Sequence, residues 1–126
     1  MAKKYDKKNQ GATKPVNLIT LLNPNSPISE QYRTVRTNLQ FAVAGDQPLR
    51  SMTVVSSGPG EGKSTSAANL AVVFAQAGRK VLLVDADMRK ATVHKTFGLS
   101  NEMGLSNLVS GQQAASSVIQ ATDVNN

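Results

Sequence analysis

Residues 57 to 65 read Ser-Gly-Pro-Gly-Glu-Gly-Lys-Ser-Thr, directly after the apolar run Met52 to Val55 and directly before the helix-prone stretch Ser66 to Ala77. A strand feeding a glycine-rich turn that opens a helix confines the chain to the α/β class, and the turn has the form of a phosphate-binding loop. Glycines let successive backbone N–H groups converge on one point, and the helix that follows adds the positive end of its dipole. Lys63 brings a full charge to the β and γ phosphates, and Ser64 offers a hydroxyl to a magnesium ion. Gly58, Pro59, Gly60, Glu61, Gly62, Lys63, Ser64 and Thr65 are therefore the candidate nucleotide contacts, with ATP and Mg2+ as the expected ligands.

The strict pattern G-x-x-x-x-G-K-[S/T] asks for glycine where this chain has Ser57, a mild departure because Gly58, Gly60 and Gly62 still supply the permissive backbone. A glycine-rich turn that binds nothing is the plain alternative. Against it, a lysine at the mouth of a helix opposes the dipole unless an anion sits there. A dinucleotide fingerprint also has to be weighed, since Asp85 follows Gly58-x-Gly60 at near the offset of a ribose-binding acid. Its third glycine would fall at Lys63, whose side chain would block the close approach of helix and strand.

The chain has 126 residues, so it is one small domain at most, and without cysteine it has neither disulfides nor a thiolate metal site. No apolar run approaches the length of a membrane span, and the lysine-rich start lacks the apolar stretch of a signal peptide. A soluble, cytoplasmic protein is expected. The net charge is +6, and Lys3, Lys4, Lys7, Lys8 and Lys14 all precede the first apolar segment. Such a run is either a solvated tail or an attraction to an anionic membrane leaflet or acidic partner. Nucleic acid is not indicated, because no aromatic residues interleave with the basic ones.

Residues 1–24 read as a flexible basic arm, ending in a short extended piece near Leu18 to Leu22, and residues 25–126 as the folded part. Ile28, Tyr32, Val35, Leu39 and Val43 recur at spacings of four and three, predicting an amphipathic helix over Ile28 to Val43 with a cap at Ser26 or Ser29 and Gly45 just past its end. Met52 to Ser56 reads as a strand, Lys63 to Ala77 as a helix stopped by Gly78, and Val81 to Val84 as a second strand covered on both faces. Together they predict one right-handed βαβ unit. Short helical pieces follow around Thr92 to Phe97, Leu105 to Ser110 and Ala114 to Ile119. Met52, Met88, Met103 and Phe97 are expected as packing residues, and the lone His94 as a surface residue.

The second run ends in Val84-Asp85-Ala-Asp87-Met-Arg89, which sets two carboxylates at the carboxyl end of a strand, where open parallel sheets bind ligands. One can hold magnesium while the other faces an attacking nucleophile, and Arg89 can pair with phosphate or with one of the acids. Taken alone, Asp85 and Asp87 serve equally well as caps for the next helix. Lys63, Asp85 and Asp87 are the candidate catalytic residues, and Ser64 and Asp87 the candidate metal ligands.

The loop Ser-x-Pro-Gly-Glu-Gly-Lys-Ser followed by Val-Leu-Leu-Val-Asp-Ala-Asp-Met-Arg-Lys resembles the bacterial tyrosine kinases of capsule and exopolysaccharide synthesis. Glu30, Arg33 and Arg36 resemble that family's E-x-x-R-x-x-R element of ring assembly; as plain helix residues, Glu30 and Arg33 are an i,i+3 pair. The resemblance runs from about Leu18 to the end of the chain. It implies a P-loop NTPase-type three-layer αβα fold with a parallel sheet, and ATP-dependent phosphorylation of protein tyrosine. Lys63 would sit on the β and γ phosphates, Ser64 and Asp87 around magnesium, and Asp85 against the tyrosyl hydroxyl. It also implies a homo-oligomeric ring and a membrane-anchored activator, a polysaccharide chain-length regulator, which would hold the kinase at the inner face of the membrane.

Two elements of that family do not occur: a third acidic strand beyond the small helices, and a tyrosine-rich tail, since the only tyrosines are Tyr5 and Tyr32. The reading is therefore a kinase truncated at its carboxyl end, with an incomplete sheet. Two alternatives remain. A ParA/MinD-like partitioning ATPase shares the loop and the acidic strand but carries a lysine where this chain has Gly58. A noncatalytic fragment that joins kinase rings through the Ile28 to Val43 helix would neither hydrolyse nor transfer the γ-phosphate.

Overall fold

Helices organise the chain, and the longest apolar helix stands at the centre. The computed structural model describes residues 16–43 and 47–126; the lysines of the basic arm, Tyr5 and Gly45 lie outside them. The element order is α1 (Ile19–Leu22), α2 (Pro27–Ala42), α3 (Lys63–Gln76), α4 (Val93–Thr96), α5 (Leu105–Val109) and α6 (Ala115–Val118). The three small helical pieces thus fall where the glycine spacing puts them.

Helix α3 starts at Gly62, whose φ of 85° lies in the left-handed region, and it ends in a Schellman turn. Gly78 has φ 80°; its N–H donates to the carbonyl of Ala75 at 2.9 Å, while the N–H of Arg79 reaches the carbonyl of Phe74 at 3.2 Å. Those bonds satisfy carbonyls left over by the last turn. A further one, on Val73, accepts from the Arg36 guanidinium at 2.9 Å, placing a cation at the negative end of the helix dipole. Ala68, Leu70, Val72, Val73 and Ala75 are buried. Leu18, Ala68 and Val72 form the core cluster, with Val16, Leu21, Leu83, Phe97 and Val124 packed around it.

The segment at 18–22 is helical and not the extended piece expected from its sequence. A polar hub holds it. Asn69, fully buried on α3, accepts at Oδ1 from the Thr20 N–H (3.0 Å) and hydroxyl (2.8 Å), and its amide donates to the carbonyls of Asn17 (2.7 Å) and Thr65 (2.9 Å). Because every polar atom of that side chain is bonded, burying it costs little and fixes α1 against α3.

Helix α2 begins as predicted, with the Ser26 hydroxyl accepting from the Ser29 N–H at 3.1 Å and Pro27 at its first turn. Its docking face is only partly the apolar stripe, of which Tyr32, Leu39 and Val43 are half-buried. Ser29 is buried and its hydroxyl donates to the carbonyls of Asn23 (2.7 Å) and Ile19 (3.2 Å), while Arg36 reaches α3. Ile28 and Val35, two members of the stripe, remain 53% and 44% exposed. A small polar residue lets the α1 turn approach closely, and that contact outweighs the stripe.

No strand forms among the described residues, in contrast to the two expected at Met52–Ser56 and Val81–Val84. A strand is defined by its ladder partners, and among the described residues the Val81 N–H donates to the carbonyl of Asn126, at 2.8 Å, outside any ladder. Exposure nevertheless alternates along 81–85: Val81, Leu83 and Asp85 are half-buried, whereas Leu82 and Val84 are 63% and 54% exposed. One side of this run is covered and the other is open, so the burial on both faces expected from its continuous apolar character is absent. Met52, Met88 and Met103 are likewise exposed rather than core residues.

Candidate functional site

The loop at 57–62 is held by its own side chains. The Lys63 ammonium donates to the Ser56 hydroxyl at 2.7 Å and to the carbonyl of Gly58 at 2.6 Å, lying back along the loop that precedes it. Glu61 closes the other side: its carboxylate accepts from the Gly58 N–H at 3.0 Å and from the Ser57 hydroxyl at 3.2 Å. The Ser56 hydroxyl, then the Gly58 N–H and the Ser57 hydroxyl, hold the Glu61 carboxyl below its ordinary range. A negative group thus already sits on one of the donors that a phosphate-binding loop offers. Gly62 needs its glycine for conformation and not for space, since a Cβ there would meet nothing within 4 Å.

The two acids after residue 84 are organised by backbone donors. Asp85 accepts at Oδ1 from the Asp87 N–H and at Oδ2 from the N–H groups of Thr92 and Val93, each at 3.1 Å. It therefore caps α4 across a seven-residue loop, the capping alternative that its position allowed. Asp87 accepts at Oδ1 from the N–H of Arg89 (3.2 Å) and of Lys90 (3.0 Å). These bonds, Lys90 first and Arg89 second, keep its carboxyl below its ordinary range and hence ionised.

Among the described residues no group of three or more His, Cys, Asp or Glu side chains could hold a metal. Among the described residues, Oδ2 of Asp87 and the half-buried Ser64 hydroxyl have no hydrogen-bond partner. Two hard oxygen donors suit magnesium, an ion that keeps several waters and binds mainly through substrate phosphates, so the residues fit.

Glu30, Arg33 and Arg36 are all engaged within the chain. Arg33 pairs with Glu30 at 2.8 Å and donates to the carbonyl of Pro24 at 2.6 Å, while Arg36 caps α3 and leaves its Nε buried without a partner. His94 is half-buried, with a buried Nδ1, and not the plain surface residue expected. Asn69 was missed altogether in the sequence, where nothing distinguishes it from a solvent-facing helix residue.

Residues 52–119 match the CobQ/CobB/MinD/ParA nucleotide binding domain. Across 93% of its length the chain is 50% identical to tyrosine-protein kinase YwqD of Bacillus subtilis (strain 168), and it covers 49% of that protein. With the putative tyrosine-protein kinase CapB of Staphylococcus aureus it shares 44% identity over 82% of its length, covering 45% of CapB. Among solved structures, the chimerical protein CapA2B2 superposes with a TM-score of 0.78 at 47% identity, over 86% of this chain and 47% of that one. The kinase domain of Escherichia coli tyrosine kinase ETK superposes with a TM-score of 0.71 at 33% identity, over 88% of this chain and 43% of that one. The chain spans about half the length of the curated relatives it matches. It belongs to the CobQ/CobB/MinD/ParA nucleotide-binding family, whose fold is of the P-loop NTPase type.

Proposed function

We propose that this chain is the ATP-binding portion of a protein-tyrosine kinase acting in capsule or exopolysaccharide synthesis. One observation carries the reading: the loop with Lys63 and the paired acids Asp85 and Asp87 occur together on a chain 50% identical to a protein named as a tyrosine kinase. In this reading the segments at 52–56 and 81–84 pair as strands of a parallel sheet in a complete three-layer αβα domain.

The residues divide the work by their free valences. Lys63 exchanges its contacts with Ser56 and Gly58 for the β and γ phosphates of ATP, joined by the N–H groups of Gly58 and of residues 60–65. Ser64 and Asp87 Oδ2 hold magnesium, which neutralises charge on the phosphates. A carboxylate offers about four acceptor positions, and Asp85 uses three on backbone N–H groups. The fourth accepts the tyrosyl proton as the tyrosyl oxygen bonds to the γ-phosphorus and the bond to the bridging oxygen breaks.

The exposed stripe at Ile28 and Val35 supports assembly through α2, with Glu30, Arg33 and Arg36 as the ring-forming residues. A membrane-anchored activator is the proposed partner, which places the protein in the cytoplasm at the inner face of the membrane. No helix among the described residues is long and apolar enough to cross a membrane. The partitioning-ATPase alternative is weaker because Gly58 stands where those loops carry lysine.

The test is transfer of labelled γ-phosphate from Mg-ATP by this chain, alone and mixed with a full-length kinase lacking its own loop lysine. Phosphotyrosine that depends on Lys63 upholds the reading. Lys63-dependent ATP binding or hydrolysis without any phosphotyrosine would reject it in favour of a nucleotide-binding assembly module or an ATPase.

A further inference from the structure

Asp85 is placed by a helix that is itself tied down at its far end. Its Oδ2 accepts from the N–H groups of Thr92 and Val93, the cap and the first residue of α4. The last residue of α4, Thr96, is 5% exposed, and its hydroxyl accepts from the Val16 N–H at 2.7 Å. The same hydroxyl donates back to the carbonyl of Thr92 at 3.4 Å. Burying a hydroxyl is costly unless it is bonded, and this one joins α4 to residues 16–18, which are far away in sequence.

Those residues are fixed in turn. The Asn69 amide on α3 holds the carbonyl of Asn17 at 2.7 Å, and Leu18 lies in the core cluster with Ala68 and Val72. Val16 and Phe97, which follows Thr96, both pack against that cluster. Helix α3 is also the helix that begins at Lys63. One element therefore carries the loop lysine at its start and, through residues 16–18 and α4, anchors the acid. The tie matters because residues 81–85 have no ladder among the described residues, and α4 supplies two of the three hydrogen bonds on the Asp85 carboxylate.

On the reading of the chain as a tyrosine kinase, we propose that Thr96 is a positioning residue: its bond to Val16 holds α4, and with it the Asp85 carboxylate, at a fixed place relative to Lys63. A group that takes the tyrosyl proton has to lie within hydrogen-bond reach of it, and a displacement of about 1 Å costs on the order of a hundredfold in rate. Thr96 acts through Asp85 alone. Its effect falls on the transfer step and not on ATP affinity, because Lys63 and its loop are held by separate contacts with Ser56 and Gly58.

The experiment is amide hydrogen exchange of the whole chain, read by NMR, in three variants. Thr96→Val removes the hydroxyl, Val16→Pro removes the donor, and Thr96→Ser keeps the bond. The Thr92 and Val93 amides should exchange roughly fivefold faster in the first two, the scale of one hydrogen bond, with no further gain when they are combined. Thr96→Ser should restore the wild-type rate, and the amides of α3 report that each variant is folded. Faster exchange in Thr96→Val alone would place the effect inside α4, and unchanged exchange in both would remove it; either result overturns the proposal. In phosphotransfer to a full-length kinase lacking its own loop lysine, the maximal rate should fall about tenfold in Thr96→Val and Val16→Pro, with KM for Mg-ATP unchanged. A rise in KM that matches the loss of rate would mean a general loosening of the fold and also overturns it. The kinase reading fails separately: no phosphotyrosine from any variant, with exchange as expected, keeps the hold on Asp85 and loses the kinase, whereas transfer at one maximal rate in all variants keeps the kinase and loses the positioning role.

Discussion

The carboxylate of Glu61 lies 3.0 Å from the backbone nitrogen of Gly58 and accepts its hydrogen bond. The loop therefore holds an anion of its own in the unliganded chain. Glu61→Gln keeps the side-chain shape and removes the charge, so ATP affinity should rise roughly two- to fivefold, the scale of one exposed charge interaction. Isothermal titration calorimetry reads this directly, and an unchanged affinity would mean that Glu61 swings aside without cost.

Lys63→Ala should abolish nucleotide binding while leaving helix content unchanged, because the lysine's partners, Ser56 and Gly58, lie in the loop and not in the core. Circular dichroism and nucleotide titration on the same sample check both halves. Persistent ATP affinity would force the loop assignment to be abandoned.

Asn69→Ala should lower stability by about 2–3 kcal/mol, since it strands the buried Thr20 N–H and the carbonyl of Asn17 and leaves the Thr20 hydroxyl only its 3.5 Å contact with the backbone carbonyl of residue 69. Denaturant unfolding measures it. A loss below about 0.5 kcal/mol would mean that water replaces the amide.

Gly78→Ala should cost about 1 kcal/mol, with no steric component, because φ is 80° and a Cβ would meet nothing within 4 Å. Gly78→Asn should cost less, as asparagine tolerates the left-handed region. A pair of thermal melts separates the two; equal losses would point to the side chain and not the backbone.

Acid should weaken both loops. The folded carboxyls of Glu61 and Asp87 lie below their ordinary values of 4.5 and 3.8. Their contribution is complete above those values and is lost as pH falls through the lower folded ones. The unfolding midpoint of the wild type should therefore drop more steeply below about pH 4 than that of Glu61→Gln/Asp87→Asn. Parallel curves would show that neither carboxylate is linked to folding.

Local signals were legible wherever one residue type decides the geometry. Gly62 and Gly78 bracket α3, Ser26 caps α2, and Lys63 marks the loop. Face and pairing were not legible, because they depend on what arrives from elsewhere in the chain. The spacing of Ile28, Tyr32 and Val35 describes an apolar stripe, yet the α1 turn selects Ser29 as the contact. Val81 to Val84 has the composition of a central strand, and composition cannot supply the neighbour that makes it one. Asn69 looks like any polar helix residue until Thr20 is placed beside it.

The uncovered side of the 81–85 run governs how the protein behaves at concentration. Leu82 and Val84, with Val55 at 80% exposure, offer apolar strips beside unpaired backbone, the arrangement that invites edge-to-edge association. A net charge of +6 keeps molecules apart, and salt at 0.15 M shortens the reach of that repulsion to about 8 Å. The colloidal limit is therefore set by ionic strength: dilute buffer keeps the chain dispersed, and added salt lets the bare strips meet.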